Sequence, residues 1–265
     1  MENSRKRIRI SWFLLGVLPF VISLGIQIVA VMVGSEVTRD MGMYMVFYQV
    51  LAIPIFGLWY YLGEGKKQGF RSTKEGLRQG FGLLVVTALA LQFGSSLFLI
   101  FAQIVMPGFM QEYLELVETS GLGSLTFSMI FYTVILAPIG EELIFRGVTM
   151  RYFKGASGKF WIANVLQAAL FGLYHMNVIQ GLYTFILGLA MGYAVRTYGT
   201  VTAGIVMHIV INGSGYLLMN VQIPAVFTLA LEVAGAVIAV WGICKMKEKK
   251  RAEEEREMSE MTGDE

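Results

Sequence analysis

Eight apolar runs constrain this 265-residue chain more than any other feature. They make 55% of the residues hydrophobic and give a mean hydropathy of +0.61. A helix needs about 20 apolar residues to cross a hydrocarbon core of about 30 Å, and lipid offers no partner to free backbone groups, so helices are the expected elements. The sequence therefore predicts an all-α, polytopic membrane protein with about eight transmembrane helices. Their approximate ranges are 10–34, 43–62, 81–106, 124–153, 158–176, 179–196, 199–219 and 223–244.

The orientation of these helices is predicted from the charges of the segments between them. Basic residues recur on one side of the membrane: Lys66, Lys67, Arg71, Lys74, Arg78, Arg151, Lys154, Lys159, Arg196 and Lys245. The basic N-terminus lies on the same side, and the other side is acidic or neutral, with Glu112, Glu115 and Glu118, and with Glu36 and Asp40 offsetting Arg39. Positive charge favours the cytoplasmic side, so both termini are predicted to lie in the cytoplasm of a bacterium.

Three further expectations follow from composition. The net charge of +2, concentrated at helix ends, makes the lipid bilayer and not nucleic acid the natural partner. The single cysteine, Cys244, excludes an internal disulfide and a cysteine-based metal site. Gly188 and Gly192 form a small-xxx-small pair that is typical of closely packed membrane helices.

Three ionisable residues lie inside the fourth apolar run, in the segment Pro138 to Arg146. A charge at the centre of a membrane helix costs at least about 2.5–3.5 kcal/mol, so such residues pair, line a polar cavity or do chemistry. Glu142 and Arg146 are four residues apart, the spacing and order of a helical salt bridge. Glu141 is turned by about 100° from Glu142 and lacks that local partner, which makes it a candidate general base.

Both histidines of the chain also fall inside predicted spans. His175 ends the pair Phe171-x-x-x-His175, and His208 begins the pair His208-x-x-x-Asn212, so the members of each pair share a helix face. Counting about 1.5 Å per residue from the predicted cytoplasmic ends puts Glu141, His175 and His208 at comparable depth. Taken singly, each polar residue is also compatible with a hydrogen bond between helices, and Glu142 with Arg146 with a buried ion pair that fixes register. Phe171 is predicted to be a pocket wall.

The three patterns together resemble a known family. Glu141-Glu142-x-x-x-Arg146, Phe171-x-x-x-His175 and His208-x-x-x-Asn212 are similar in type, spacing and order to the motifs of the CPBP intramembrane proteases. This family contains the type II CAAX prenyl endopeptidases and bacteriocin-processing enzymes and is also called the Abi family. The resemblance covers residues 124–219 and implies a peptidase whose site opens towards the cytoplasm within a four-helix core.

The resemblance also implies a role for each residue. Glu141 resembles the base that activates water, and His175 the residue that positions this water. His208 and Asn212 resemble the groups that stabilise the oxyanion, while Glu142 and Arg146 brace the helix. A metal-free mechanism is favoured; the alternative is a zinc site formed by Glu141, His175 and His208, since family members have been called metalloproteases.

The predicted organisation follows from the spans and the resemblance. The N-terminal region, 1–120, is predicted to contain helices one to three and an outer interfacial helix near 108–120. The catalytic core is predicted to follow at 121–219, with helix eight at 220–245 and a charged cytoplasmic tail at 246–265. The expected substrate is a peptide or membrane protein cut near the cytoplasmic leaflet, such as a pheromone, a bacteriocin leader or a regulatory protein. The rival hypothesis is a non-catalytic bacteriocin-immunity or scaffold protein, or a small transporter, although no half-repeats of the transporter type are found.

Overall fold

The computed structural model describes residues 2–37, 40–65, 70–120, 126–219, 221 and 224–262. These residues form nine helices and, within the described ranges, no strand. The helices are α1 (Glu2–Val37), α2 (Met41–Tyr60, continued by a π turn at Tyr61–Gly65), α3 (Phe70–Val105), α4 (Pro107–Thr119), α5 (Phe127–Ser157), α6 (Phe160–Tyr174), α7 (Val178–Tyr198), α8 (Val201–Met219) and α9 (Ala225–Thr262). The all-α fold and the multi-pass membrane class are confirmed.

The predicted number of spans needs one correction. Among the described residues, seven helices are long and apolar enough to cross a membrane, whereas α6 has 15 residues and falls short. At about 1.5 Å per residue α6 is about 22 Å long, less than the hydrocarbon thickness of about 30 Å. The reason lies at its ends: Gly158 precedes the helix in a left-handed conformation with φ of 69°, and Met176 follows it with φ of 51°. The turn between α6 and α7 follows this short helix, and it carries His175.

Helices are present where the interfacial helix and the helical tail were predicted, while the interfacial position of the first stays a prediction. Helix α4 matches the amphipathic segment predicted near residues 108–120 and packs on α7, where the rings of Tyr113 and Tyr183 meet edge to face with centroids 6.2 Å apart. Helix α9 continues unbroken beyond Cys244 to Thr262. Ion pairs between residues one helical turn apart lie along this extension: Lys245 with Glu248, Lys250 with Glu253, and Arg251 with Glu255.

The described basic residues of the predicted loops lie at one end of the helix bundle. At one end, Tyr152 of α5 packs on Trp12 of α1 and accepts a hydrogen bond from Trp59 Nε1 of α2. Arg196 at the end of α7 pairs with Glu254 of α9 at the same end. We call this the basic end, because Arg151, Lys154, Lys159 and Arg196 lie there.

The other end, which we call the opposite end, holds the start of α2, the start of α5 and helix α4. There, Ser128 of α5 donates a hydrogen bond to Asp40 at 2.7 Å. The grouping agrees with the predicted loop pattern, while the assignment of the basic end to the cytoplasm stays a prediction. Arg39, Lys66 and Lys67 lie outside the described residues, and the side chains of Glu36, Arg71 and Lys74 are likewise not described.

Small residues let α6 and α7 approach closely. A Cβ added at Gly188 would lie 3.1 Å from the Cβ of Ala168, and one added at Gly192 would overlap Asn164. Asn164 and Gln167 of α6 donate side-chain hydrogen bonds to the backbone carbonyls of Leu189 and Gly188. The close packing predicted for the Gly188 and Gly192 pair is confirmed, and it holds α6 in place although the helix is short.

Candidate active site

Helix α5 departs from regular α-helical geometry on both sides of its two glutamates. It contains a π turn at Tyr132–Leu136 and another at Leu143–Thr149. In the first, the amide of Ala137 bonds to the carbonyl of Tyr132, five residues back. The carbonyl of Thr133 would then need the amide of residue 138, but Pro138 has none. Asn212 Nδ2 of α8 donates to this carbonyl at 2.9 Å instead. Pro138 thus creates the acceptor that fixes Asn212.

Glu142 is the centre of a buried charged cluster. Its Oε1 lies 2.6 Å from Nη1 of Arg146 and 3.1 Å from Nδ1 of His208. The side chains of Glu142 and Arg146 are fully buried, and that of His208 is 7% exposed. Gly204 of α8 packs against Glu142 Oε2 so closely that a Cβ there would overlap it. The predicted pair of Glu142 with Arg146 is present, and His208 joins it as a third member.

Glu141 faces the other nitrogen of the same imidazole. Its Oε2 lies 3.7 Å from Nε2 of His208, and the residue is 5% exposed. An ionised carboxylate only accepts hydrogen bonds, so His208 Nδ1 must donate to Glu142. In neutral His208 the lone pair of Nε2 therefore points towards Glu141. The structure places the two glutamates of the motif on opposite nitrogens of one histidine.

His175 lies at the C-terminal end of α6, where it caps the helix. Its Nδ1 is 2.8 Å from the carbonyl of Phe171, one turn earlier. A carbonyl only accepts, so Nδ1 carries the proton and Nε2 of the neutral ring is left as an acceptor. This arrangement leaves Nε2 available to a water molecule or a substrate group in the cavity that His175 lines.

Phe171 fills the space between the charged cluster and both histidines. Its ring meets His175 and His208 edge to face, with centroids 4.9 Å and 5.8 Å apart. The guanidinium of Arg146 lies 4.3 Å from the centre of the same ring. Phe171 is 1% exposed and lines the cavity, as expected for a pocket wall. It also supplies a cation–π contact that helps to keep Arg146 charged in an apolar interior.

A cavity of about 670 Å³ brings the predicted site residues together. Glu141, Phe171, His175, His208 and Asn212 all line it, whereas Glu142 and Arg146 lie behind its wall. The volume falls within the range of about 300–1,000 Å³ that is usual for ligand sites. The described structure therefore assembles residues from α5, α6 and α8 around one space, as the sequence analysis expected.

The cavity extends towards the opposite end of the protein. Its lining comes from residues 208–219 of α8, 180–191 of α7 and 92–99 of α3, which is in each case the part of the helix nearer that end. Towards the basic end, residues 142–149 of α5 are all buried. The resemblance implied a cytoplasmic opening, but the loop charges place the cytoplasm at the basic end. These two expectations conflict, because the cavity opens away from the basic loops.

Sequence reasoning missed several polar residues of this region. Glu232 of α9 lines the cavity and is only 3% exposed, although it lies in an apolar run outside the three motifs. Tyr174 donates a buried hydrogen bond to Tyr48, and Gln49 is packed against Gly140 just before the two glutamates. A single acidic residue within the last span was the available signal for Glu232. The tyrosines gave none, because aromatic residues are common in membrane helices.

The described residues do not form a preorganised metal site. No three of their His, Cys, Asp and Glu side chains converge as a set of metal ligands. Glu141 Oε2 and His208 Nε2 lie 3.7 Å apart, and the bond from Nδ1 of His175 to Phe171 leaves Nε2 of His175 as a possible ligand, but no third donor joins the first two among the described residues. The zinc set of Glu141, His175 and His208 stays a prediction, and no step is derived through a metal.

The fold and the site define a multi-pass membrane protein with a Glu–His cluster at the floor of a cavity within the helix bundle. Residues 123–214 match the family model described as type II CAAX prenyl endopeptidase Rce1-like. The matched segment includes all three motifs, from Glu141 to Asn212. The family resemblance predicted from these motifs is therefore confirmed for residues 123–214, which are similar to the Rce1-like endopeptidases. Comparison of the chain with curated proteins and with solved structures gives no match.

Proposed function

We propose that the protein is an intramembrane endopeptidase that hydrolyses a peptide bond of a membrane-associated peptide or protein. The observation that carries the proposal is the position of Glu141 at the floor of a cavity that His175, His208 and Asn212 also line. A carboxylate, two imidazoles and an amide around one space supply a base and hydrogen-bond partners for peptide hydrolysis. The match to an endopeptidase family supports the same reaction.

Glu141 is proposed to act as the general base. Its carboxylate takes a proton from a water molecule while the water oxygen attacks the carbonyl carbon of the scissile bond. His175 accepts the second hydrogen of this water at Nε2 and so orients the attack, because Nδ1 is held by the carbonyl of Phe171. When the tetrahedral intermediate collapses, the C–N bond breaks and the departing nitrogen receives the proton from Glu141.

His208 and Asn212 are proposed to stabilise the oxyanion. One N–H of the Asn212 amide is bonded to the carbonyl of Thr133, which leaves the second N–H for the cavity. His208 donates from Nε2 when that nitrogen carries a proton, since Nδ1 is already bonded to Glu142. Donors fixed in advance at the developing charge are the main source of rate acceleration in such sites. Glu142 and Arg146 position His208 without touching the substrate.

The direction of the cavity bears on how the substrate arrives. Because the cavity opens at the opposite end, away from Arg151, Lys154 and Lys159, we propose that the substrate enters from the face without the basic loops. If positive charge marks the cytoplasm, this is the outer face. The proposal replaces the cytoplasmic-leaflet site that the resemblance implied. It fits a peptide or protein segment that reaches the outer side of the membrane.

Substitution of Glu141 by Gln tests the proposal. The amide keeps the shape of the side chain but is not a base, so turnover of a fluorogenic peptide should be lost while protein abundance and thermal stability are retained. Glu118→Gln, on the exposed surface of α4, is the matched control and should cleave at the wild-type rate. In cells, Glu141→Gln should cause an uncut precursor to accumulate in the membrane fraction. Full activity of Glu141→Gln would refute the protease and leave the scaffold hypothesis.

A further inference from the structure

Glu232 is a carboxylate in the cavity that the proposed mechanism does not use. It lies on α9 within the candidate span Val226–Glu260, outside the residues that match the family model. The residue is 3% exposed, and its Oε2 has no hydrogen-bond partner among the described residues. Burying a carboxylate in an apolar interior is costly, so a carboxylate oxygen left without a hydrogen bond indicates that a ligand or another polar group binds there.

The surroundings of Glu232 favour a positively charged ligand. Among the described residues that line the cavity, none is lysine or arginine, whereas Glu141 and Glu232 are both present. Arg146 lies behind the wall and is already paired with Glu142. The remaining polar lining near α9 is neutral, with Gln92, Ser95 and Thr228. A cation that enters the cavity would therefore meet two carboxylates and, among the described lining residues, no lysine or arginine to repel it.

Glu232 lies nearer the cavity mouth than the proposed catalytic residues. It is seven residues from the start of α9, about 10 Å below the opposite end of the protein, whereas His208 is about 16 Å below the end of α8 on that side. Glu232 and Glu141 line the same cavity. A peptide that extends from the mouth to Glu141 therefore shares this cavity with Glu232.

We infer that Glu232 forms a cation-binding subsite for the peptide substrate, on the mouth side of the scissile bond. The inference rests on the proposed function and narrows its substrate class to peptides with an ammonium or guanidinium group a few residues from the cleaved bond. The group is a lysine or arginine side chain or a free amino terminus. Its charge would replace the missing partner of Glu232 and fix the register in which the peptide bond meets Glu141.

The test separates binding from cleavage by using Glu141→Gln protein in detergent micelles. One set of fluorescent peptides has both ends blocked and carries Lys, Gln or Glu at each position in turn. One further peptide has only uncharged side chains and keeps a free amino terminus. We expect the best Lys peptide to bind at least about tenfold more tightly than its Gln counterpart, a modest value for a desolvated charge pair. Selective binding of the peptide with the free amino terminus would instead identify that terminus as the cation.

Three variants in the Glu141→Gln background complete the test. Adding Glu232→Gln should abolish the preference for Lys, adding Glu232→Lys should transfer it to the Glu peptide, and adding Glu118→Gln should change nothing. Binding of the Lys, Gln and free-amine peptides that is equal at every position, no binding of any of these peptides, or a preference for the cationic group that survives Glu232→Gln would overturn the subsite. If charge-selective binding holds but wild-type protein cleaves none of the peptides that bind, the subsite stands and the protease proposal fails.

Discussion

Oε1 of Glu142 lies 3.1 Å from Nδ1 of His208, although the two residues are 66 positions apart in the sequence. This contact gives the second glutamate of the motif a task that its helical pairing with Arg146 does not reveal. It holds a proton on Nδ1 of His208 and turns Nε2 towards Glu141, 3.7 Å away. Glu142 therefore contacts both Arg146, its ion-pair partner on α5, and His208, a proposed catalytic residue on α8.

Glu142→Leu should destabilise the protein strongly, because Arg146 would be left buried without its carboxylate. Removing one partner of a buried ion pair costs about 3–5 kcal/mol, whereas replacing both partners by apolar residues is often neutral. The double variant Glu142→Leu/Arg146→Met should therefore recover most of the lost stability. Thermal unfolding in detergent measures both effects. A double variant as unstable as Glu142→Leu would show that the ion pair is not the source of the loss.

The same double variant should remain a poor enzyme even when its stability is restored. His208 would lack its acceptor, and losing a hydrogen bond to a charged group is worth about 1.5–3 kcal/mol, or about tenfold or more in rate. We expect the loss in kcat, with KM nearly unchanged, because His208 acts on the transition state. Wild-type turnover in the double variant would contradict a positioning role for Glu142.

Gly204→Ala should disturb the same cluster from the side of α8. The added Cβ would overlap Oε2 of Glu142 and push the carboxylate away from His208. Overpacking of this kind costs typically about 1–3 kcal/mol, and turnover should fall because the pair of Glu142 and His208 separates. Gly213→Ala on the same helix is the matched control, since its Cβ would lie an ordinary 3.5 Å from Val134. Equal activity of the two variants would argue against close packing at Gly204.

The sequence predicted the features of this protein that depend on local patterns. Hydropathy predicted where the spans lie, because each span is a contiguous apolar run. It missed that α3 begins at Phe70 and not near residue 81, since polar helical turns beyond the apolar layer have no hydropathy signal. It also overestimated α6, because the run 158–176 stays apolar beyond the turn at His175. The pairing of Glu142 with Arg146 was predictable, as both residues lie on one helical face.

Contacts between distant helices were beyond this reasoning. The spacing of the motifs showed that Glu141, His175 and His208 share a depth, but not that His208 bridges the two glutamates. Nothing in the sequence indicated the π turn that frees the carbonyl of Thr133 for Asn212. The direction of the cavity depends on which half of each helix carries small or polar lining residues, which is a property of the packed bundle.

Cysteine accessibility tests the orientation of the cavity in the membrane. In a Cys244→Ser background, Lys154→Cys at the basic end should react with a membrane-impermeant maleimide only after the cytoplasmic face is opened. Glu118→Cys on α4 and Met219→Cys at the cavity mouth should react from outside, since both side chains are exposed. Lys154 is preferable to Gly155, where an added Cβ would overlap the ring of Trp12. External labelling of Lys154→Cys would reverse the topology and place the cavity mouth in the cytoplasm.

The last prediction separates a metal-free mechanism from a zinc enzyme. If Asn212 stabilises the oxyanion, Asn212→Ala should lower kcat with little change in KM, by about 2.7–4 kcal/mol or about 10²–10³-fold, as for other oxyanion donors. His208→Ala should behave similarly, and a strong chelator should leave wild-type turnover unchanged. Under the zinc alternative, with Glu141, His175 and His208 around the ion, chelation would silence the wild type and Asn212→Ala would be comparatively mild. Activity that a chelator removes and added zinc restores would refute the metal-free mechanism. The described side chains would then have to rearrange around a metal ion.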